Sequence, residues 1–258
     1  MNRIKNAFKN KPIFMPYFPL GYPDLDTSID VIEALAKNGA DLIEVGLSFS
    51  DPLADGPVIQ KVTQVALEKG ITVRKSLEAV KELRKRGVDI PLILMGYYNP
   101  MLAYGLAKFV RDAVEAGADG FIIPDLPPEE ADEFVEAIGQ SSLPLIQMLA
   151  PTSSPERMEM IARTAKGFIY LVSVTGITGE RKSVAAGLGD LIALVRTHTS
   201  VPVCVGFGIG TPEQARQVGA LADGVIVGSA CVKTIGGSER PVETAKEFAK
   251  NFADALRQ

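Results

Sequence analysis

Asn38-Gly-Ala-Asp-Leu-Ile-Glu-Val-Gly46 is the stretch on which the fold turns. A small-residue helix stop leads into a turn bearing Asp, and an apolar, β-branched run follows. The order recurs as Ala116-Gly-Ala-Asp-Gly-Phe-Ile-Ile-Pro124. It recurs again, slightly longer, as Gly219-Ala-Leu-Ala-Asp-Gly-Val-Ile-Val-Gly228. This weak internal repeat points to a chain assembled from repeated helix–turn–strand units.

Working outward, short apolar runs predict strands at Ile13–Tyr17, Leu42–Gly46, Leu92–Met95, Gly120–Pro124, Leu145–Met148, Phe168–Val172, Val201–Val205 and Gly224–Val227. Helical periodicity fills Ser28–Lys37, Val73–Arg86, Leu106–Ala116, Glu129–Ile138, Pro155–Thr164, Gly187–Thr197 and Pro212–Val218. A last amphipathic stretch covers Pro241–Leu256. Strands with helices between them imply parallel crossovers, and continuously hydrophobic strands imply burial on both faces. Eight such units in 258 residues predict an α/β fold, a single parallel (β/α)8 TIM barrel domain over residues 1–258. That architecture takes about 250 residues. An open doubly wound sheet is the alternative.

Composition narrows the partners. The net charge is −4, and the only basic concentration, Lys81 to Arg86, reads as a solvated helix face with Glu82 among the bases. A nucleic-acid partner would need a basic stripe. The apolar runs fall well short of the ~20 residues of a membrane helix. Met1 to Lys11 is polar and basic with no long apolar stretch after it, so no signal peptide is expected. Cys204 and Cys231 lie in apolar runs and read as buried free thiols of a reducing compartment. Without a CxxC or a Cys/His cluster, no metal site is expected. The single histidine, His198, sits at a helix end. Proton transfer must therefore come mostly from carboxylates, tyrosine or lysine.

In such a barrel the chemistry lies at the C-terminal ends of the strands. Strand alternation that turns Ile43 and Val45 toward the helices turns Leu42 and Glu44 inward. A carboxyl there has its charged form disfavoured, which suits an acid or base near neutral pH. A buried Glu paired with Arg or Lys reads equally well. The loop Phe49-Ser-Asp-Pro-Leu-Ala-Asp-Gly-Pro57 is shaped by its prolines, glycine and aspartates. Its Asp55 is a second carboxylate above the barrel mouth, or a plain turn or cap. Glycines follow strands six (Gly176, Gly179), seven (Gly206, Gly208, Gly210) and eight (Gly228), the last opening a short helix, Ser229–Ile235. Loops after strands seven and eight, with such a helix N-terminus, are where these barrels bind phosphate.

The run Glu44-Val-Gly-Leu-Ser-Phe-Ser-Asp-Pro-Leu-Ala-Asp-Gly-Pro-Val-Ile-Gln60 resembles the signature of the tryptophan synthase alpha subunit family. So do Pro16-Tyr-Phe-Pro-Leu-Gly21, Met95-Gly-Tyr-Tyr-Asn-Pro100, Ile123-Pro-Asp-Leu-Pro127, Tyr170-Leu-Val-Ser173, Gly206-Phe-Gly-Ile209 and Gly228-Ser229. The resemblance implies retro-aldol cleavage of indole-3-glycerol phosphate into indole and glyceraldehyde 3-phosphate. It gives Glu44 the acid–base work at indole C3 and the side-chain hydroxyl, Asp55 the indole N–H, and Tyr170 an assisting role. It implies an indole pocket of Tyr17, Met95, Ile122, Pro124 and Phe207, all of which also serve as plain core. Phosphate would rest on backbone N–H groups of Gly179, Gly208, Gly228 and Ser229, while Thr178 belongs to a loop that closes toward the aspartate. Val174 stands where many members carry Arg, and Tyr17 and Pro124 replace a common Phe and Ala. The family implies a beta-subunit partner that holds pyridoxal phosphate, in an alpha2beta2 heterotetramer, with no cofactor in this chain. A cytoplasmic location is implied, or the plastid stroma for a plant chain. A different barrel lyase or isomerase acting on sugar phosphates would lack the aromatic pocket. A non-catalytic regulatory subunit would have no need of both Glu44 and Asp55.

Overall fold

The repeated aspartate does the same job at all its positions. Asp41, Asp119 and Asp223 each accept a backbone N–H with the side chain, from Phe14 (2.9 Å), Leu92 (2.9 Å) and Val203 (3.0 Å). Each returns its own backbone N–H to the carbonyl of that same residue, at 2.9 Å in all three places. A pair of bonds thus pins the start of one strand to the turn that launches the next. The sequence repeat is therefore a register device at the N-terminal ends of the strands.

In the computed structural model, residues 3–139, 141, 143–172, 181–206 and 208–258 are described, those at 181–186 by backbone alone. The strands are β1 (Ile13–Pro19), β2 (Ile43–Gly46), β3 (Leu92–Met95), β4 (Gly120–Ile122), β5 (Leu145–Leu149), β6 (Ile169–Val172), β7 (Val203–Gly206) and β8 (Gly224–Val227). All pairings are parallel, in chain order, and β8 closes on β1. This is the (β/α)8 barrel expected from the alternation, and the open sheet is excluded.

Alternation along each strand divides the core. Met15, Leu42, Ile93, Ile122, Ile146, Tyr170, Cys204 and Ile226 meet inside the barrel. Phe14, Ile43, Val45, Leu94, Phe121 and Val205 face the surrounding helices. A short helix, Arg3–Ala7, and the 3-10 turn Phe8–Asn10 close the N-terminal end. Ile4 joins the interior cluster and the Phe8 ring lies 6.0 Å from that of Phe168. The polar, basic N-terminus is thus a plug with an apolar inner face.

Several boundaries differ from the sequence reading. β4 stops at Ile122, before Pro124, and β7 begins at Val203, after Pro202. Proline has no N–H to give to a ladder. The helix expected at Glu129–Ile138 is a 3-10 turn, Pro128–Glu130, followed by Asp132–Ile138. The helix expected at Gly187–Thr197 spans Arg181–Arg196. Helices Pro57–Glu68 and Tyr98–Tyr104 have no counterpart in that reading. The Lys81–Arg86 segment is not uniformly solvated. Arg84 turns inward, ion-pairs with Asp119 and donates to the carbonyls of Gly117, Val88 and Ile90. Helical periodicity puts position 84 on the flank of the buried stripe of Leu77, Val80 and Leu83. Cys204 and Cys231 are buried free thiols. Among the described residues, no helix is long and apolar enough to cross a membrane.

Candidate active site

β2 presents Glu44 to the barrel interior, 1% exposed, while its neighbours Ile43 and Val45 pack outward. One carboxyl oxygen, Oε1, is buried without a hydrogen-bond partner. Burial alone pushes the group up to about 8, so it is mostly protonated at neutral pH. Among the described residues no Arg or Lys pairs with it, which counts against the reading of Glu44 as half of a buried ion pair.

Above Glu44, at the C-terminal ends of the strands, a cavity of about 290 Å³ opens. Its lining includes Glu44, Asp55, Tyr170, Tyr17, Met95, Gly208, Gly228 and Ser229. These are residues singled out in the sequence, drawn from six strands or the loops after them. Ile122 is fully buried in the interior cluster and does not line the cavity. Pro124 lines a neighbouring cavity with Gln147, Met148 and Arg157. Thr178, Gly179 and Phe207, with Val174 and Gly176, lie outside the described residues.

Both cavity tyrosines are seated on strand-end glycines. A Cβ at Gly46 would fall 2.3 Å from the Tyr17 hydroxyl oxygen, and one at Gly206 would fall 2.4 Å from that of Tyr170. Only glycine lets each ring lean over the neighbouring strand. Burial first, and then the carboxylates of Asp55 and Glu44, raise both phenols well above their ordinary range. Each hydroxyl therefore keeps its proton and serves as a donor.

Asp55 reaches the cavity from the loop between β2 and helix Pro57–Glu68. Its Oδ2 accepts the Tyr97 hydroxyl at 3.0 Å, and that same hydroxyl accepts the Ala54 N–H at 3.0 Å. Burial raises the Asp55 carboxyl, and the Tyr97 hydrogen bond opposes the rise. Asp55 is thus held by a side chain, not spent on a turn or helix cap: helix Pro57–Glu68 has Gly56 at its N-cap with no side-chain cap.

On the other side of the cavity, helix Ser229–Gly236 begins at Gly228 with no side chain capping its first turn. Its first residues, Ser229 and Ala230, line the cavity together with Gly208, Gly210 and Gly228. Gly208 holds a left-handed φ of 77°. A Cβ at Gly228 would meet nothing closer than 3.9 Å, so glycine there leaves room in the cavity and is not forced by contact. Gly210 contributes less, because its N–H is already bonded to Gln214 Oε1 at 2.8 Å.

The sequence reading overlooked Tyr97, Ile59, Ile226 and Ile209. Ile226 was accessible from the alternation Gly224-x-Ile226-x-Gly228, and Tyr97 from its phase with the inward Met95. Ile59 was not, because nothing local shows that the helix after the loop leans over the mouth.

A (β/α)8 barrel with a buried, protonated carboxyl and a second carboxylate at the C-terminal mouth defines a barrel enzyme poised for proton transfer. The family model described as tryptophan synthase alpha chain matches residues 4–257. The chain is 49% identical to a tryptophan synthase alpha chain of Geotalea uraniireducens, covering 100% of this chain and 97% of that one. It is 47% identical to one of Chloroflexus aggregans, covering 100% and 99%. Among solved structures, tryptophan synthase from M. tuberculosis superposes with a TM-score of 0.89 at 34% identity and full coverage of both chains. The chain belongs to the tryptophan synthase alpha chain family.

Proposed function

We propose that the chain cleaves indole-3-glycerol phosphate into indole and glyceraldehyde 3-phosphate, with Glu44 and Asp55 as its catalytic pair. The observation that carries this is a buried, unpartnered carboxyl facing the same cavity as a second carboxylate. Cleavage needs a proton delivered to C3 of the ring and a proton removed from the side-chain hydroxyl as the carbon–carbon bond breaks. Glu44, protonated at neutral pH, gives the first and, once ionised, takes the second, so it ends the cycle as it began. Protonation at C3 places positive charge on the ring N–H, which the Asp55 carboxylate stabilises. Tyr170 assists as a neutral donor. Tyr17 and Met95 wall the indole. Phosphate rests on the backbone N–H groups of Gly208, Gly228 and Ser229 at the uncapped helix N-terminus, where an anion is favoured.

Indole then passes to a beta subunit that carries pyridoxal phosphate, in an alpha2beta2 complex, in the cytoplasm or a plastid stroma. The barrel is one domain from end to end.

The experiment is indole release from indole-3-glycerol phosphate by Glu44→Gln, nearly isosteric. The variant folds and loses at least about 10²-fold in turnover, the usual scale of a general acid's contribution. Retention of more than about a tenth of the rate would assign the proton transfers to another group.

A further inference from the structure

We infer that Tyr97 is a positioning residue for this reaction: its hydroxyl, seated between the Ala54 N–H and the Asp55 carboxylate, aims that carboxylate into the cavity. The inference rests on the reading of Asp55 given above. The polarity of the arrangement is settled by donor count. The phenol has one proton, and Ala54 N–H occupies its oxygen as a donor, so the Tyr97 proton goes to Asp55 Oδ2. Tyr97 is suited to the task because it is buried and packed. It is 5% exposed, it follows β3 directly, and its ring packs on that of Phe49 at 5.6 Å. Asp55 sits instead on a loop whose other bonds are local, from its own N–H to the Pro52 carbonyl and from Gln60 to the Asp55 carbonyl. Tyr97 therefore links the loop after β2 to the rigid end of β3.

The charged and titratable surroundings define what the contact does. Tyr17 and Tyr170 both feel Asp55 across the cavity, as they feel Glu44. Tyr97 also faces Asp125, and burial with Asp55 keeps its own proton in place. Of these groups, Tyr97 alone makes a hydrogen bond that favours the ionised form of Asp55. Removing its hydroxyl lets burial act unopposed, so Asp55 ionises at higher pH.

The test is Tyr97→Phe, which keeps the ring and its packing. Steady-state indole release is measured across pH, beside Asp55→Asn and the double variant. The expected result is a fall of about tenfold in kcat, the scale of one hydrogen bond to a charged group, with KM little changed. The acid limb of the profile should move upward while the alkaline limb, set by Glu44, stays in place. Carbon-13 NMR of the Asp55 carboxyl should show the same upward shift without any turnover. In the Asp55→Asn background, Tyr97→Phe should cost almost nothing further. An unmoved acid limb and an unshifted carboxyl resonance would overturn the role, as would equal losses in both backgrounds. Full activity of Asp55→Asn would instead overturn the reading of Asp55 itself.

Discussion

Glu44, the proposed acid, is buried at a cost in stability. Its carboxyl ionises near 8 in the folded protein, against 4.5 as the ordinary value. A raised carboxyl contributes fully to stability below its unfolded value, and that contribution is lost as pH rises toward the folded value. The protein should therefore lose stability between about pH 4.5 and 8 from this one group. Glu44→Gln removes the ionisation, so urea midpoints of the variant should rise above the parent's as pH increases across that window. The gap should reach a few kcal/mol near pH 8 and be smallest at the acid end. Equal midpoints at every pH would mean that Glu44 is solvated. With Glu44 as the proposed acid, the same shift should set the alkaline limb of activity, because the acid form is lost above it.

Elements divide between the two ends of the barrel. At the N-terminal end, Asp119 accepts the Leu92 N–H and pairs with Arg84 and Arg3, tying β3, β4 and two helices together. The Arg84 side chain is 12% exposed, so Asp119→Ala strands a mostly buried charge as well as an N–H. The expected loss is about 3–5 kcal/mol in urea unfolding, with KM for substrate nearly unchanged. A loss under about 1 kcal/mol would show that Arg84 finds water instead. At the C-terminal end, Gly228→Asp should leave the fold intact, since a Cβ there meets nothing within 3.9 Å. It should raise KM sharply by placing a like charge at the uncapped helix N-terminus. An unchanged KM would put the phosphate elsewhere.

At the scale of the whole molecule, the loop that carries Asp55 also carries Leu53, which is 89% exposed. A large apolar side chain held out beside the carboxylate proposed as catalytic is a surface suited to a partner. The beta subunit is the partner expected there, and adding it at saturation should raise indole release. Leu53→Asp should leave the basal rate near the parent's and blunt the rise. A rate indifferent to the partner in both proteins would remove this face from the interface.

The sequence by itself determined the eight strand–helix units and the strand-borne residues of the site, and the structure decided that the sheet closes. Alternation puts Leu42 and Glu44 on one strand face, opposite Ile43 and Val45, and helix–strand order requires parallel crossovers, in a closed barrel or an open sheet. The glycines after strands seven and eight were legible for the same reason, since backbone freedom is a property of the residue. Only the tertiary structure decided which groups meet across the mouth. That Tyr97 rather than a local cap holds Asp55, that Tyr17 rests on Gly46, and that Arg84 leaves its solvated run for Asp119 all depend on contacts distant in the chain. Periodicity records which face a residue shows. It carries no record of what stands opposite, because that is set by how far each strand and helix is shifted against its neighbours.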